Sequence, residues 1–374
     1  MSRRQFFSGL LLWAVVPLSA AENAKNVILF LGDAGGLPTL NAASIHGYNE
    51  PRKLFVQNMP HLALSETSTA SRWVTDSAAG MTAIVTGQKT QNAVISQSAT
   101  AVRGEKDGEP LKTILEYAEE RGLSTGVVSD SSVLSATPAA CYAHVNDRKD
   151  VAGVFRQLLA PRFGNGVDVV MGAGRQAVLE AASEIGVEAP AALRKAGLGW
   201  YDSLDAVPAT ARRAVVLFDG EFDLDAVTRR AIRILSRNPK GFFLMVESDL
   251  HTENLLQGLD RAVAFDKTIR QTAERMKGTG TLILFTADHS YDLRIHGGLK
   301  GKPLVDGSEK AVKTAGVESV RLKNVRRDDG HTAEEVLVAA QGPGAERVRG
   351  MMPNTRLFRI MLAAYGWSAA PARR

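Results

Sequence analysis

The chain has 374 residues, of which 45% are hydrophobic and 23% charged, a composition typical of globular proteins and not of disordered or fibrous ones. Its formal net charge of +5 comes without a long basic run, so the charge does not indicate nucleic-acid binding. The single cysteine, Cys141, excludes an internal disulfide, so the fold depends on its core and on any bound ions.

The first residues, MSRRQFFSGLLLWAVVPLSAA, have the pattern of a cleavable export signal. Arg3 and Arg4 form a charged start, an apolar run follows, and Ser19-Ala20-Ala21 is a small-residue cleavage site. The paired arginines predict a twin-arginine signal peptide at 1–21. We therefore expect a periplasmic or secreted protein. The apolar run is too short to span a bilayer comfortably, which speaks against an N-terminal anchor. No later segment is apolar for long enough to cross a bilayer, so no stable membrane insertion is expected after cleavage.

Further along the chain, continuous apolar runs rich in β-branched residues predict strands that are buried on both faces. These runs are 26–33, 125–130, 167–172, 214–219, 242–247, 281–288 and 335–342. Helical patterns lie between them, for example at 109–122 and 255–276, where apolar residues recur with a period of about 3.6. Alternating β and α elements of this kind predict an α/β fold with a doubly wound, mostly parallel central sheet flanked by helices.

The domain organisation predicted from this pattern is simple. The length would allow one large α/β domain or two smaller ones, and residues 22–374 are expected to form a single domain. Two stretches, near 174–212 and 290–330, do not have the pattern of core elements. We expect both to be excursions from the sheet that form a rim over a site.

The stretch VESDLHTE, residues 246–253, places Glu247, Asp249 and His251 at alternate positions directly after an apolar strand. On a helix, side chains two residues apart diverge by about 200°. On an extended chain they point to the same face. The stretch therefore indicates the end of a strand that presents three potential ligands to one place.

Other predicted strands also end in acidic residues. Asp33 and Asp288 follow two of the apolar runs, and His289 comes directly after Asp288. One acid at a strand end is usually a helix cap or a turn residue. Several such ends at one sheet edge indicate a binding crevice, because ligands of open parallel sheets bind outside the carboxyl ends of the strands.

Several residues outside the strands are also candidates, although each has a common structural role. Ser77 begins a small-residue helix, where the positive end of the helix dipole favours a phosphate. Thr137 has an oxygen suited to Mg²⁺, and Arg148 has a planar fork that binds two phosphate oxygens. Taken singly, they are a helix start, a turn residue and a surface charge, and His331 is a loop histidine.

Together these segments strongly resemble the alkaline phosphatases. The resemblance rests on NVILFLGDAGG, VTDSAAGMTAIVTGQKTQNAVI, TGVVSDSSVLSATPAACYAHVNDR, DVVMGAGR, FFLMVE, TADHS and DGHTAEEVLVAAQGPGAE. Their order and spacing are specific, and the match covers most of 22–374. The resemblance implies hydrolysis of small phosphate monoesters, through a phosphoserine intermediate, at a site with two zinc ions and one magnesium ion, and a homodimer is possible.

The resemblance also implies roles for individual residues. Ser77 would be the nucleophile and a ligand of the adjacent zinc, and Arg148 would bind the phosphate. The zinc beside Ser77 would be held by Asp33, Asp288 and His289. The second zinc would be held by Asp249, His251 and His331, and magnesium by Asp33, Thr137 and Glu247.

Two departures from the family pattern leave questions open. The family has a longer loop after the glutamate, with a D-x-x-x-H spacing, whereas this chain has E-x-D-x-H, so either Asp249 or Glu253 could be the zinc carboxylate. Ser135 stands where relatives have Asp or His near magnesium, which leaves the identity and occupancy of the third metal open.

Two alternative functions also stay open. One is a metal-dependent phosphodiesterase or nucleotide pyrophosphatase on the same fold. The other is a catalytically impaired relative that binds phosphate or metal, which the shortened loop and Ser135 would favour. A sulfatase fits less well, because the sequence has no C-x-P-x-R-like motif.

Overall fold

A computed structural model describes residues 23–305, 312–313, 319–328 and 330–368. The predicted signal peptide at 1–21 lies outside these residues, so it stays a prediction. Among the helices of the described part, none is both long enough and apolar enough to cross a bilayer.

The structure alternates strands and helices along most of the chain. The strands are β1 (Asn26–Asp33), β2 (His61–Glu66), β3 (Ser124–Ser132), β4 (Val169–Ala173), β5 (Gly199–Tyr201), β6 (Ala214–Phe218), β7 (Phe242–Asp249), β8 (Thr281–Thr286), β9 (Ser290–Tyr291), β10 (Arg294–Ile295), β11 (Val312–Lys313), β12 (Ser319–Arg321), β13 (Val325–Asp328), β14 (His331–Thr332), β15 (Val336–Gln341) and β16 (Gly350–Pro353). The helices are α1 (Leu37–Tyr48), α2 (Ser77–Thr86), α3 (Ile114–Glu120), α4 (Ala136–Ala139), α5 (Val151–Leu159), α6 (Arg175–Glu184), α7 (Ala189–Lys195), α8 (Leu224–Leu235), α9 (Leu255–Arg275) and α10 (Arg356–Ala364).

A ten-stranded sheet in the order β16-β2-β15-β8-β1-β7-β3-β4-β6-β5 forms the centre of the molecule. Its strands from β8 to β5 are parallel, whereas β15 runs antiparallel to both of its neighbours, β8 and β2. Every strand predicted from an apolar run belongs to this sheet, which confirms the doubly wound, mostly parallel fold. The short strands β2, β5 and β16, at or near the sheet edges, were not predicted, because they lack continuous apolar runs.

Helices cover both faces of the sheet, and the alternation of β1 shows how the two layers divide. Val27, Leu29 and Leu31 pack in the cluster that includes α2, α3, α5 and α10. Ile28 and Phe30 pack in the cluster that includes α1, α8 and α9. Because side chains alternate along a strand, Asp33 continues the odd-numbered set and faces the α2 side.

The two excursions differ from each other, and one differs from its prediction. In 174–212, Val178, Ala182 and Leu193 are buried in the core, and β5 extends the main sheet beside β6. This stretch therefore belongs to the core, and its alanine-rich helices hid that in the sequence. By contrast, the strands in the described parts of 290–330 lie outside the main sheet. Four of them form a small sheet in the order β10-β13-β12-β11, and β9 pairs with β14.

Of the histidines His46, His61 and His144, two have acidic partners in the fold. Nε2 of His46 lies 2.8 Å from Oδ1 of Asp260. Nε2 of His144 lies 2.9 Å from Oε1 of Glu116 in the interior. His61 begins the strand β2. Neither acidic partner could be predicted from the sequence, because both lie far from their histidines along the chain.

At the end of α3, Glu119 is buried and accepts a hydrogen bond of 3.1 Å from the Thr125 hydroxyl. Burial raises the pKa of Glu119 from 4.5 to about 8, and the hydrogen bond from Thr125 offsets only part of this shift. The nearby charges of Glu116 and Asp168 raise the pKa further. Folded protein therefore keeps this proton at pH values where the unfolded chain releases it.

Glu119→Gln is expected to reduce the loss of stability that occurs as the pH rises from 4.5 to about 8. Between pH 4.5 and about 8 the folded state of the wild type binds more protons at Glu119 than the unfolded state does. The free energy of unfolding therefore falls as the pH rises, by up to about 1.4 kcal/mol per pH unit for this group. Urea unfolding at pH 5 and pH 8 would measure the difference between variant and wild type. Glu120→Gln, at the exposed neighbour, is the control, and equal pH slopes in all three proteins would contradict the prediction.

Candidate functional site

Acidic residues from adjacent central strands meet at the carboxyl edge of the sheet. Asp33 ends β1 and pairs in register with Asp249, which ends β7. Glu247 lies two residues earlier in β7, and Asp288 lies just beyond the end of β8. The crevice predicted from the sequence is thus formed by β7, β1 and β8, where parallel neighbours bring the strand ends together.

Ser77 is the first residue of α2, and its hydroxyl points into this crevice. Its Oγ lies 3.1 Å from Oδ2 of Asp33 and 3.4 Å from Nε2 of His289. A Cβ at Gly80 would lie 2.8 Å from the carbonyl oxygen of Asp288. Glycine at this position therefore lets the start of α2 come close to the end of β8.

Asp76 performs two structural tasks beside Ser77. Its Oδ1 caps α2 by accepting a hydrogen bond of 3.1 Å from the Ala79 amide. Its Oδ2 accepts hydrogen bonds from Nη1 of Arg148 (3.1 Å) and from the Ala93 amide (2.9 Å). The sequence did not indicate the contact that holds Arg148 beside Ser77, because 72 residues separate Asp76 from Arg148.

Three imidazole rings are packed together at the same edge. The ring centroids of His289 and His331 are 3.7 Å apart, and His251 lies 5.5 and 5.7 Å from them. Each Nδ1 faces an oxygen atom: Oδ1 of Asp249 at 2.8 Å for His251, the Ser290 carbonyl at 3.1 Å for His289, and the Thr75 carbonyl at 2.9 Å for His331. Donation of Nδ1–H to these oxygens assigns a tautomer whose Nε2 lone pair is available to a metal.

Potential ligand atoms converge in two groups among the described residues. One group is Asp33, Asp288 and His289, and the other is His251, His289 and His331; in each, the ligand atoms lie within 4.8 Å of one another. The first is the set predicted for the zinc beside Ser77. His289 belongs to both groups, which the sequence did not indicate.

Two buried carboxylate oxygens at this edge have no hydrogen-bond partner: Oε1 of Glu247 and Oδ2 of Asp288. Such atoms are costly unless something else satisfies them. Oxygen and imidazole donors are ligands that zinc and magnesium accept. The residues present therefore fit bound cations.

The pKa shifts of the buried acids also indicate that this edge of the sheet can bind cations. Burial raises the pKa of Glu247 well above its usual range, and the charge of Asp33 raises it further. Burial, followed by the charge of Asp33, raises the pKa of Asp288 to about 6. Burial would also raise the pKa of Asp33, but the hydrogen bond and charge of His289 lower it well below its usual range. Cations here would relieve the repulsion between these acids.

The residues predicted for magnesium lie on three elements. Glu247 is buried in β7, and its Oε2 accepts a hydrogen bond from the Ser129 hydroxyl. Thr137 is buried in the short helix α4, not in a turn, and its hydroxyl favours the charged form of Glu247. Ser135, at the N-cap of α4, has a buried hydroxyl without a hydrogen-bond partner.

The shortened loop differs from its prediction. The strand β7 ends at Asp249, so His251 lies beyond it and not on its frayed end. Oδ1 of Asp249 accepts from Nδ1 of His251, and Oδ2 lies 3.3 Å from Nη1 of Arg261. The rival Glu253 is exposed and accepts a hydrogen bond of 3.0 Å from the Tyr291 hydroxyl. Neither carboxylate belongs to the group of three histidines. Asp249 instead contacts His251, which is a candidate ligand of the second zinc.

Comparisons with known proteins identify a consistent set of relatives. The family model described as alkaline phosphatase matches residues 24–203 and 220–320. The alkaline phosphatase of Escherichia coli (strain K12) is 29% identical, over 92% of this chain and 86% of that protein. The human tissue-nonspecific isozyme is 27% identical, over 93% of this chain and 86% of that protein. A mutant alkaline phosphatase of the Antarctic bacterium TAB5, solved with Mg bound in its M3 site, has a TM-score of 0.74 at 25% identity, covering 94% of this chain and all of that chain.

Proposed function

Because the chain belongs to the alkaline phosphatase family, we propose that it is an exported, metal-dependent phosphomonoesterase in the periplasm or outside the cell. Family membership supports phosphatase activity on small phosphate esters with divalent metal ions. The observation that carries the finer proposal is the position of Ser77, whose Oγ lies within 3.4 Å of both Asp33 and His289. These two residues belong to a group of converging metal-ligand atoms.

The metal assignment follows the two groups of converging atoms. Asp33, Asp288 and His289 would hold a zinc ion beside Ser77, and His251 and His331 a second one. Glu247, Thr137 and Asp33 would hold magnesium. When bound, zinc would lower the pKa of the serine hydroxyl and stabilise charge on the departing oxygen.

The chain's own residues account for the remaining chemistry. The Ser77 hydroxyl donates toward Oδ2 of Asp33, which orients the oxygen for attack on phosphorus. Arg148, held through Nη1 by Asp76, binds non-bridging oxygens with its remaining N–H groups. The first amides of α2 add positive potential at the phosphoryl group. Water then hydrolyses the phosphoserine and regenerates the Ser77 hydroxyl.

Arg148→Ala is expected to lower kcat/KM for phenyl phosphate by about 10- to 100-fold, because a charged hydrogen bond of about 1.5–3 kcal/mol is lost. Diphenyl phosphate, with one charge fewer, should lose less, and the wild type should prefer the monoester. Lys149→Ala, at the exposed neighbouring cation, is the matched control.

The same assays separate the alternatives. A wild-type preference for diphenyl phosphate would favour a phosphodiesterase. Absence of turnover in a zinc-loaded wild type that binds inorganic phosphate would favour the impaired, binding-only relative. Either result would contradict the proposed monoesterase.

A further inference from the structure

Asp130 lies at the point where β3 stops pairing with β7. The last register pair between these strands is Ser129 with Glu247. Between Ser129 and Ser132 the register of β3 with β4 shifts, so β3 bulges at Asp130. A bulge re-aims the side chain it carries. Here the carboxylate reaches across to the residues that follow Glu247.

The Asp130 carboxylate takes the place of the backbone acceptors that β3 no longer supplies. Its Oδ1 accepts a hydrogen bond of 2.7 Å from the Asp249 amide. Its Oδ2 accepts a hydrogen bond from the Ser248 hydroxyl. On the opposite side, the Leu250 amide donates to the Asp33 carbonyl at 2.9 Å. The chain at 248–250 is thus fixed from both neighbouring strands.

This fixed segment determines the position of His251. Oδ1 of Asp249 accepts from the His251 amide at 3.1 Å and from its Nδ1 at 2.8 Å. Arg261 of α9 holds the other oxygen of the same carboxylate. A carboxylate on Nδ1 fixes the tautomer and the ring orientation of a metal-binding histidine. An error in the position of Asp249 would therefore be transmitted to Nε2 of His251.

We infer that Asp130 is a positioning residue: through Ser248 and Asp249 it holds the shortened loop so that Nε2 of His251 faces the second zinc position. The inference rests on the proposed function, because it assumes zinc at His251. It assigns a task to a residue to which the resemblance gives no role. A short loop makes few contacts within itself, so its conformation depends on contacts with the strand beside it.

The surroundings of Asp130 indicate that the residue can be replaced without unfolding the protein. Asp130, Ser248 and Arg261 line a cavity of about 850 Å³ beside α9. Water entering from this cavity can satisfy the Asp249 amide when the carboxylate is removed. The expected result of the substitution is a looser loop and not a collapsed core.

The test compares Asp130→Ala with Asp130→Asn by zinc titration of the full mature chain against a chromophoric chelator. The Ala variant is expected to weaken one zinc site by about 10- to 100-fold, the range known for residues that orient metal ligands. The other zinc, next to Ser77, should keep its affinity. The Asn variant should bind zinc almost as the wild type does, because its Oδ1 still accepts from Asp249 and its Nδ2 can donate to Ser248.

Outcomes of this titration separate the inference from the proposed function. A wild type with two zinc sites and an Ala variant with unchanged affinities would overturn the role of Asp130. Equal weakening of both sites, or no rescue by Asn, would indicate general loosening and also overturn it. A wild type that binds no zinc would refute the proposed function itself. If Asp130→Ala does not fold, Ser248→Ala provides a second test, because it removes one of the two hydrogen bonds to Asp130. This variant should weaken the zinc site at His251 by a smaller factor, and an unchanged affinity there would overturn the inference.

Discussion

Ser77→Ala is expected to lower kcat for p-nitrophenyl phosphate by at least about 10³-fold while the folded protein still binds zinc and inorganic phosphate. The Ser77 hydroxyl is the oxygen at the start of α2 that faces both Asp33 and His289. Its removal takes away the proposed nucleophile, but it leaves the three candidate ligands Asp33, Asp288 and His289 in place. Zinc analysis and phosphate titration on the same sample would separate loss of chemistry from loss of the site.

Ser71→Ala provides a matched control, because Ser71 is an exposed serine in the segment that leads to Ser77 and bonds Gln91 instead of a site residue. Its kcat should remain close to that of the wild type. Near-full activity in Ser77→Ala would remove Ser77 from the nucleophile role. Loss of zinc in that variant would show that the serine oxygen contributes more to the metal site than to the reaction.

His289→Gln is expected to weaken the zinc beside Ser77 directly and to lower kcat by at least about 10³-fold. It should also weaken the second zinc indirectly, because the His289 ring packs against His251 and His331. His289 is completely buried and is the one residue shared by the two groups of converging ligand atoms in the described chain. His331 belongs to only one of them. His331→Gln should therefore weaken one zinc and leave the ion beside Ser77 in place, which makes it a graded comparison.

His61→Gln is the control without a site role, since His61 begins β2, separated from β1 by β15 and β8. Thermal unfolding of the metal-free proteins would show whether the glutamine at 289 disturbs packing against His331, whose ring is stacked 3.7 Å away. Full zinc content in His289→Gln, or equal losses in the variants at 289 and 331, would contradict the shared position of His289.

The electrostatics of the crevice gives these effects a common cause. The raised pKa values of Glu247 and Asp288 arise from burial and from the charge of Asp33, which lies within the same cluster. A cluster of buried acids is unfavourable unless cations compensate it. Substitutions that loosen a metal ligand are therefore expected to affect several neighbours at once, so their effects should not be additive.

Some features followed directly from residue order. Continuous apolar runs predicted strands β1, β3, β4, β6, β7, β8 and β15, because a strand buried on both faces has to be apolar along its length. Strand-end residues such as Asp33 and Asp288 then predicted the edge at which the site lies, since parallel strands carry their carboxyl ends to the same side. The helix start at Ser77 was equally readable, because capping is a local property of the chain.

The features that the sequence missed depend on contacts between distant residues. Asp130 and Asp249 lie on the neighbouring strands β3 and β7, and Arg148 contacts Asp76 at the start of α2. The membership of His289 in two ligand groups is likewise a matter of ring orientation, which no spacing encodes.

The sequence by itself determined the fold class and the edge of the sheet where the chemistry lies, because these follow from periodicity and from which residues end each strand. The order and spacing of its motifs indicated the family through their resemblance to the alkaline phosphatases. Only the tertiary structure decided that Asp249 contacts Nδ1 of His251, that Glu253 instead bonds Tyr291, and that 174–212 joins the core. The physical reason is that hydrogen-bond partners and burial are set by packing between elements, which a local pattern along the chain does not contain.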